Sequence, residues 1–225
     1  MAKRPAARPE APRPRGRPPK LSREAIARAA LQIGFAEVTL VSVAEALKVS
    51  HAALYSHVVD RADLARAALD VLYAEAPWPA CRGPWRRYLE REAGVLWSLL
   101  ERDPALVLAS AAGGMSPGAL AHFNAAARVL IDEGFAPEEA LLAVDTVFDL
   151  VHDVFVRGQQ LVASVTGEDA DEAWLDALDR RLRAPTRRAV RNPRRWFERK
   201  LKIVLDGIAA GLAPATCDRD EGGAS

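Results

Sequence analysis

Thr39-Leu40-Val41-Ser42-Val43-Ala44-Glu45-Ala46-Leu47-Lys48-Val49-Ser50-His51-Ala52-Ala53-Leu54-Tyr55-Ser56-His57-Val58 reads as two short helices joined by a tight turn. Thr39 is a good N-cap, and Leu40, Val43, Ala44 and Leu47 recur at helical spacing. Helices that cross closely need a small residue at the crossing, which Ala44 supplies, and a turn, here at Lys48. Val43, Leu47, Val49 and Leu54 are the apolar anchors. This is the helix-turn-helix pattern, whose second helix, expected over His51–His57, enters the DNA major groove. Lys48 stands where the turn favours glycine, and a side chain there is strained if φ is positive.

Outward from this stretch the sequence predicts helices on both sides. Ser22, with Glu24 in the first turn, opens a helix through Ile26, Ala29, Ala30 and Ile33, and Gly34 ends it. Asp60 caps a longer helix with Leu64, Ala68, Leu69 and Leu72 on one face, which Pro77 and Pro79 stop. Further on, a capping residue followed by proline recurs at Asp103-Pro104, Ser116-Pro117 and Asn192-Pro193, with a weaker version at Ala136-Pro137. The later helices are expected over roughly 84–101, 104–111, 117–133, 137–164, 169–184 and 193–212. The fold class is all-α. The expected organisation is a basic arm (1–20), a three-helix helix-turn-helix domain (21–76), a helical body (77–213) and a polar tail (214–225).

Composition agrees. The 225 residues are half hydrophobic, enough for a core, and the abundance of Ala and Leu favours helix. Only Cys81 and Cys217 are present, too few for a disulfide framework or a cysteine metal site, and a cytoplasmic location is expected. No apolar run approaches the roughly 20 residues of a membrane span. The net charge of +1 conceals an asymmetry: +6 over residues 1–20, −12 over 21–179 and +10 over 180–202. Asp145, Asp149 and Asp153 form an acidic stripe, expected to pair with the basic segment Arg187–Lys202 within or across a dimer.

The stretch from Leu21 to Leu72 resembles the tetracycline-repressor (TetR) family. The most specific part is Leu54-Tyr55-Ser56-His57 following Val49-Ser50, with Arg61 and Leu64 beyond. The resemblance implies that Thr39, Tyr55 and Arg61 touch phosphates and that His57 lies near the DNA backbone. It places His51, Ala52, Ala53 and Ser56 on the base-facing side, with Val41 where some members carry a base-reading arginine. Val41, Ala52 and Ala53 offer no bidentate donors, so thymine methyls suit them better. Trp196-Phe197-Glu198-Arg199-Lys200-Leu201 and onward is similar to the family's closing helix, and implies a homodimer on a palindromic operator. It also implies that residues 77–213 are the ligand-binding and dimerisation domain, and that an unknown small-molecule effector releases the DNA. The candidate effector residues are Trp97, Met115, Phe123, Phe148, His152 and Phe155, with Gln159 beside them; the alternative for each is plain core packing.

Arg15-Gly16-Arg17-Pro18 in the arm resembles the AT-hook core, which lays two arginines in a narrow A·T-rich minor groove. An architectural DNA-binding protein with little sequence choice is therefore the alternative. An enzyme is not expected: there is no G-x-S-x-G, no phosphate-cradling glycine loop and no H-E-x-x-H. Gly113-Gly114-Met115-Ser116 reads as a loop. His152 with Asp149 or Asp153 is a poor ligand set, so no metal or cofactor is expected.

Overall fold

The structure, a computed structural model, describes residues 21–110, 115–166 and 173–214. The arm with Arg15 and Arg17, Gly113-Gly114, the predicted helix start at 169 and the tail beyond 214 lie outside them. Among the described residues there are eleven helices and no strand.

The first four are α1 (Arg23–Ile33), α2 (Leu40–Leu47), α3 (His51–Tyr55) and α4 (Arg61–Glu75). Their starts follow from side-chain chemistry. The oxygens of Ser22, Thr39, Ser50 and Asp60 each accept from a backbone N–H three residues on, satisfying donors the helix leaves bare. At Thr39 the device is reciprocal, because Ser42 Oγ accepts from Thr39 N–H at 3.0 Å. Gly34 ends α1 at φ 89°, and Lys48 ends α2 in the left-handed region at φ 55°, the strain its side chain foretold. Helix α3 is shorter than expected: it closes at Tyr55, and His57 N–H turns back to the Leu54 carbonyl.

These helices enclose one apolar cluster, with Ile26, Ala30, Phe35, Val43, Leu54 and Leu64 fully buried. Each such large side chain contributes about 1.5–3 kcal/mol. Leu106, from the sixth helix, joins the same cluster.

The rest of the chain forms α5 (Trp85–Arg102), α6 (Pro104–Ser110), α7 (Pro117–Asp132), α8 (Pro137–Thr166), α9 (Ala173–Asp176), α10 (Arg180–Arg191) and α11 (Pro193–Gly211). Ser116 and Asn192 cap α7 and α11 as expected, and Asp103 Oδ1 accepts from Leu106 N–H. A second cluster gathers Leu96, Trp97, Leu130, Val151, Phe197 and Leu205 from α5, α7, α8 and α11.

One expectation is corrected. A single helix over 169–184 is replaced by α9 and α10, broken at 177–179. Asp179 restarts the helix by accepting from Arg181 N–H at 2.8 Å. Helix α10 then runs through Pro185, whose missing N–H removes one internal bond without ending the helix.

Helix α4 connects the two clusters, packing on α1, α6 and α7. Its approach to α7 is close. Asp70 Oδ1 accepts from Gly118 N–H at 2.7 Å, and a Cβ at residue 118 would lie 2.9 Å from that oxygen.

Candidate nucleic-acid interface

Helices α2 and α3 present an open surface. Thr39, Val41, Lys48, His51, Ala52, Tyr55, Ser56 and Arg61 are exposed, while Ala53 and His57 are half-buried. Tyr55 is 52% and Val41 47% exposed although both are large apolar-bodied side chains. Their neighbours Val43, Ala44, Leu54 and Val58 are buried, so the amphipathic pattern leaves these positions outward for want of a core role.

The polar atoms on this face are partly committed. Thr39 Oγ1 accepts from Ser42 N–H at 3.0 Å, which leaves its own hydrogen to donate. Ser56 Oγ donates to the Ala53 carbonyl at 2.7 Å, so it faces a partner chiefly as an acceptor. Arg61 donates to the Phe35 carbonyl and so braces the loop before α2. It can reach a phosphate only with its remaining donors. His57 contributes its carbonyl to the fold, accepting from Arg23 Nη1 at 2.8 Å.

Behind the face lies a network that the sequence reading did not find. The Arg23 guanidinium grips both Asp63 carboxylate oxygens, at 2.9 and 2.5 Å, and also the Asp63 carbonyl at 3.1 Å. Asp63 further accepts from Val59 N–H at 3.0 Å and from Arg66 at 3.0 Å. The Arg23 hydrogen bonds, aided by those from Val59 and Arg66, hold the Asp63 carboxyl well below the usual carboxylate range, against the burial that would raise it. The network ties the start of α1 to the α3–α4 junction and fixes the angle at which α3 is presented.

A second tie comes from the body. Asp103, between α5 and α6, accepts from Phe35 N–H at 3.0 Å through Oδ2 and from Leu106 N–H at 3.2 Å through Oδ1.

This arrangement has many solved counterparts. The Streptomyces coelicolor TetR-family protein ActR, in complex with actinorhodin, is 21% identical with a TM-score of 0.68, over 88% of this chain and all of that one. TetR from Acinetobacter baumannii AYE is 23% identical with a TM-score of 0.61, over 85% and 98%. The transcriptional regulator SCO7222 of Streptomyces coelicolor, a TetR, is 25% identical with a TM-score of 0.59, over 84% and 98%. The fold is that of the TetR regulators. No protein-family model and no curated protein matches the chain by sequence.

In the body of this TetR fold the expected effector residues separate. Trp97 stacks on Phe197 at 4.6 Å between ring centroids and meets Phe155 edge-on at 5.3 Å, all three buried. Phe123 and Phe148 form a second edge-on pair at 5.7 Å. His152 is half-buried, its Nδ1 2.9 Å from the Phe148 carbonyl, and Gln159 is exposed. Met115 is 59% exposed and joins neither pair. The buried Trp97 Nε1–H has no hydrogen-bond partner among the described residues, an orphaned donor in the region read as the effector site.

Two clefts lie elsewhere on the TetR fold. One, of about 500 Å³, runs beside α5 past Pro77, Arg91, Val95 and Arg102. The other, of about 340 Å³, lies between α8, α10 and α11, against Leu161, Leu182, Trp196 and Lys200.

The acidic stripe is exposed at Asp145, Asp149 and Asp153. Within the chain, Asp153 pairs with Arg157 on its own helix, while Arg194 reaches Glu101 and Glu198, and Lys202 reaches Asp206. The ion pairs described for the basic segment thus run to α5 and α11. No helix of the described residues is long and apolar enough to cross a membrane, and no group of three His, Cys, Asp or Glu among them could hold a metal ion.

Proposed function

We infer that this chain is a TetR-family transcriptional regulator, a repressor that binds a palindromic DNA operator as a homodimer and releases it when a small molecule binds the body. The observation that carries the reading is the α2–α3 face: exposed Thr39, His51 and Tyr55 on a helix pair clamped from behind by Arg23 and Asp63. The hydroxyls of Thr39 and Tyr55 suit phosphate oxygens, His51 suits a base edge, and Val41 with Ala52 and Ala53 suits thymine methyls. Arg61 and His57 flank the same face, and Arg15 and Arg17 of the arm add minor-groove contacts.

Support for effector sensing comes from neighbours of the same fold: ActR is solved with actinorhodin, and a TetR variant with minocycline. In this chain Trp97, Phe123, Phe148, His152 and Phe155 are the effector candidates, with Met115 at the periphery. Exposed Leu141 and Leu142 on α8 and Ile203 on α11 are apolar positions that a second copy would cover. The acidic stripe and the basic segment would then meet between subunits. The neighbours are described as regulators, and we read this chain likewise as a non-enzymatic protein acting on chromosomal DNA in the cytoplasm. Its working units are residues 21–76 for DNA and 77–213 for effector and partner.

The test is selection of random DNA fragments by the purified full chain at near-physiological salt. The expected result is one palindromic site, bound about tenfold less tightly by Tyr55→Phe and by His51→Ala. Enrichment of A·T-rich DNA without a shared palindrome would instead put the Arg15-Gly16-Arg17 arm in charge and favour the architectural alternative.

A further inference from the structure

Glu92 is buried where a carboxylate is costly. It is 0% exposed, lies on α5 amid the second apolar cluster, and neither oxygen has a hydrogen-bond partner among the described residues. Burial pushes its carboxyl up to about 7, against a weaker pull from the Tyr88 hydroxyl, which stands close by but outside good hydrogen-bond geometry. The side chain facing it from α7 is His122, whose Nδ1 is 3.5 Å from Glu92 Oε1, and burial pulls that imidazole down, away from its charged form. The cluster therefore holds a carboxyl and an imidazole that both resist charge, with no cation paired to Glu92 among the described residues.

Aromatic rings surround the pair. Trp78 lies over His122 with ring centroids 3.9 Å apart, and Tyr73 approaches both, at 5.2 Å from Trp78 and 5.6 Å from His122. Tyr88, one turn before Glu92, is buried beside it, and burial, with Glu92 adding to it, pushes both tyrosine hydroxyls up. Trp78 belongs to the segment between α4 and α5, which has no helix from Ala76 to Pro84 and carries Pro77, Pro79 and Pro84. Its indole Nε1–H donates to the Tyr73 carbonyl at 2.7 Å, at the end of α4.

We propose that Glu92 and His122, walled by Tyr73, Trp78 and Tyr88, form an effector subsite for an organic cation, with the Trp78 indole as its removable cover. A positive group brings the charge that a buried carboxylate lacks, and aromatic faces attract the same group through their quadrupoles. Burial keeps the His122 imidazole toward its neutral form, so it adds no positive charge to repel such a group. Displacing Trp78 breaks its bond to the Tyr73 carbonyl, so occupancy reaches α4, the helix that bears on α1 and on Arg61. Among the described residues, the titratable groups beside Glu92 are Tyr73 from α4, Tyr88 from α5 and His122 from α7, with Cys81 acting on Tyr88, and none of these is a standing cation at neutral pH. Cation binding therefore expels the Glu92 proton.

The inference rests on the effector-sensing reading but is tested without DNA. Phenyltrimethylammonium and its neutral isostere tert-butylbenzene are titrated into the full chain by calorimetry between pH 5.5 and 8.5. The expected result is a preference for the cation of about tenfold or more at pH 8. That preference falls by up to about tenfold per pH unit below 7, because the proton competes. In Glu92→Gln both the preference and its pH trend disappear, with helix content unchanged by circular dichroism. Equal binding of the two probes, binding of neither, or a preference that survives in Glu92→Gln overturns the proposal. Should that variant fail to fold, a cation preference in the wild type that does not change with pH overturns it as well. Operator binding without cation binding leaves the regulator reading intact and removes this subsite; cation binding without operator binding does the reverse.

Discussion

Arg23 and Asp63, forty residues apart, share a two-pronged ion pair that closes the α1–α4 module behind its exposed face. The arginine side chain is 42% exposed and the carboxylate 12%, so solvent screens one side of the pair only. The carboxylate also holds the Val59 N–H and Arg66, which makes it the centre of the α3–α4 junction.

Asp63→Asn should therefore cost about 2 kcal/mol and weaken operator binding without touching a DNA contact. The pH sign follows from a depressed carboxyl: its stabilisation is complete above about pH 4, the unfolded value, and fades as pH falls below it. Urea unfolding at pH 7 and pH 3 measures both. A gap between wild type and variant that is as large at pH 3 as at pH 7 would contradict the assignment.

Lys48 occupies left-handed backbone that glycine adopts without strain. Lys48→Gly should stabilise the chain by about 0.5–1 kcal/mol, a rise in Tm of roughly 2 °C. The same change removes an exposed cation from the turn beside α3, so the salt dependence of operator binding should become slightly shallower. Thermal melts and a salt titration read the two effects separately.

Removing the charge at Glu92 should help stability where the carboxyl would ionise. The unfolded carboxyl ionises near pH 4.3 while the folded one holds its proton to about 7. The penalty thus grows from about pH 4.3 to 7 and is constant above. Glu92→Gln should match wild type near pH 4 and exceed it by roughly 3 kcal/mol at pH 8. Denaturant midpoints across that range check it.

Asp103→Ala should cost about 1–2 kcal/mol, since the Phe35 and Leu106 N–H groups both lose their acceptor. It should also blunt the response of operator binding to any effector, because the body then loses this hold on the loop before α2. Effector titrations of the DNA complex, compared at equal protein stability, show it.

The helix starts were legible because caps are local chemistry: Ser22, Thr39, Asp60, Ser116 and Asn192 each bond a backbone N–H within three residues. The break before α10 was missed because Pro185 reads as a stop and Asp179 as one acid among many. The outward set on α2 and α3 was legible from period and resemblance together. The Arg23–Asp63 and Asp103–Phe35 ties were not, because pairing across 40 or 68 residues leaves no periodic trace. Glu92 did leave a signal. Tyr88, Leu89, Glu92, Ala93 and Leu96 share one helical stripe, so the acid stands in an otherwise apolar row.

Phe35 is fully buried, its N–H is held by Asp103 of the body, and its carbonyl is held by Arg61 at the start of α4. The side chain cannot slide and neither backbone atom is idle, so this residue behaves as a coupling pin between sensor and reader. In the proposed dimer, a change in where α5 meets α6 would be handed on through Phe35 as a change in how the two α2–α3 faces are set apart. The geometry of the proposed regulator then hangs on a single phenylalanine buried in the α1–α4 cluster.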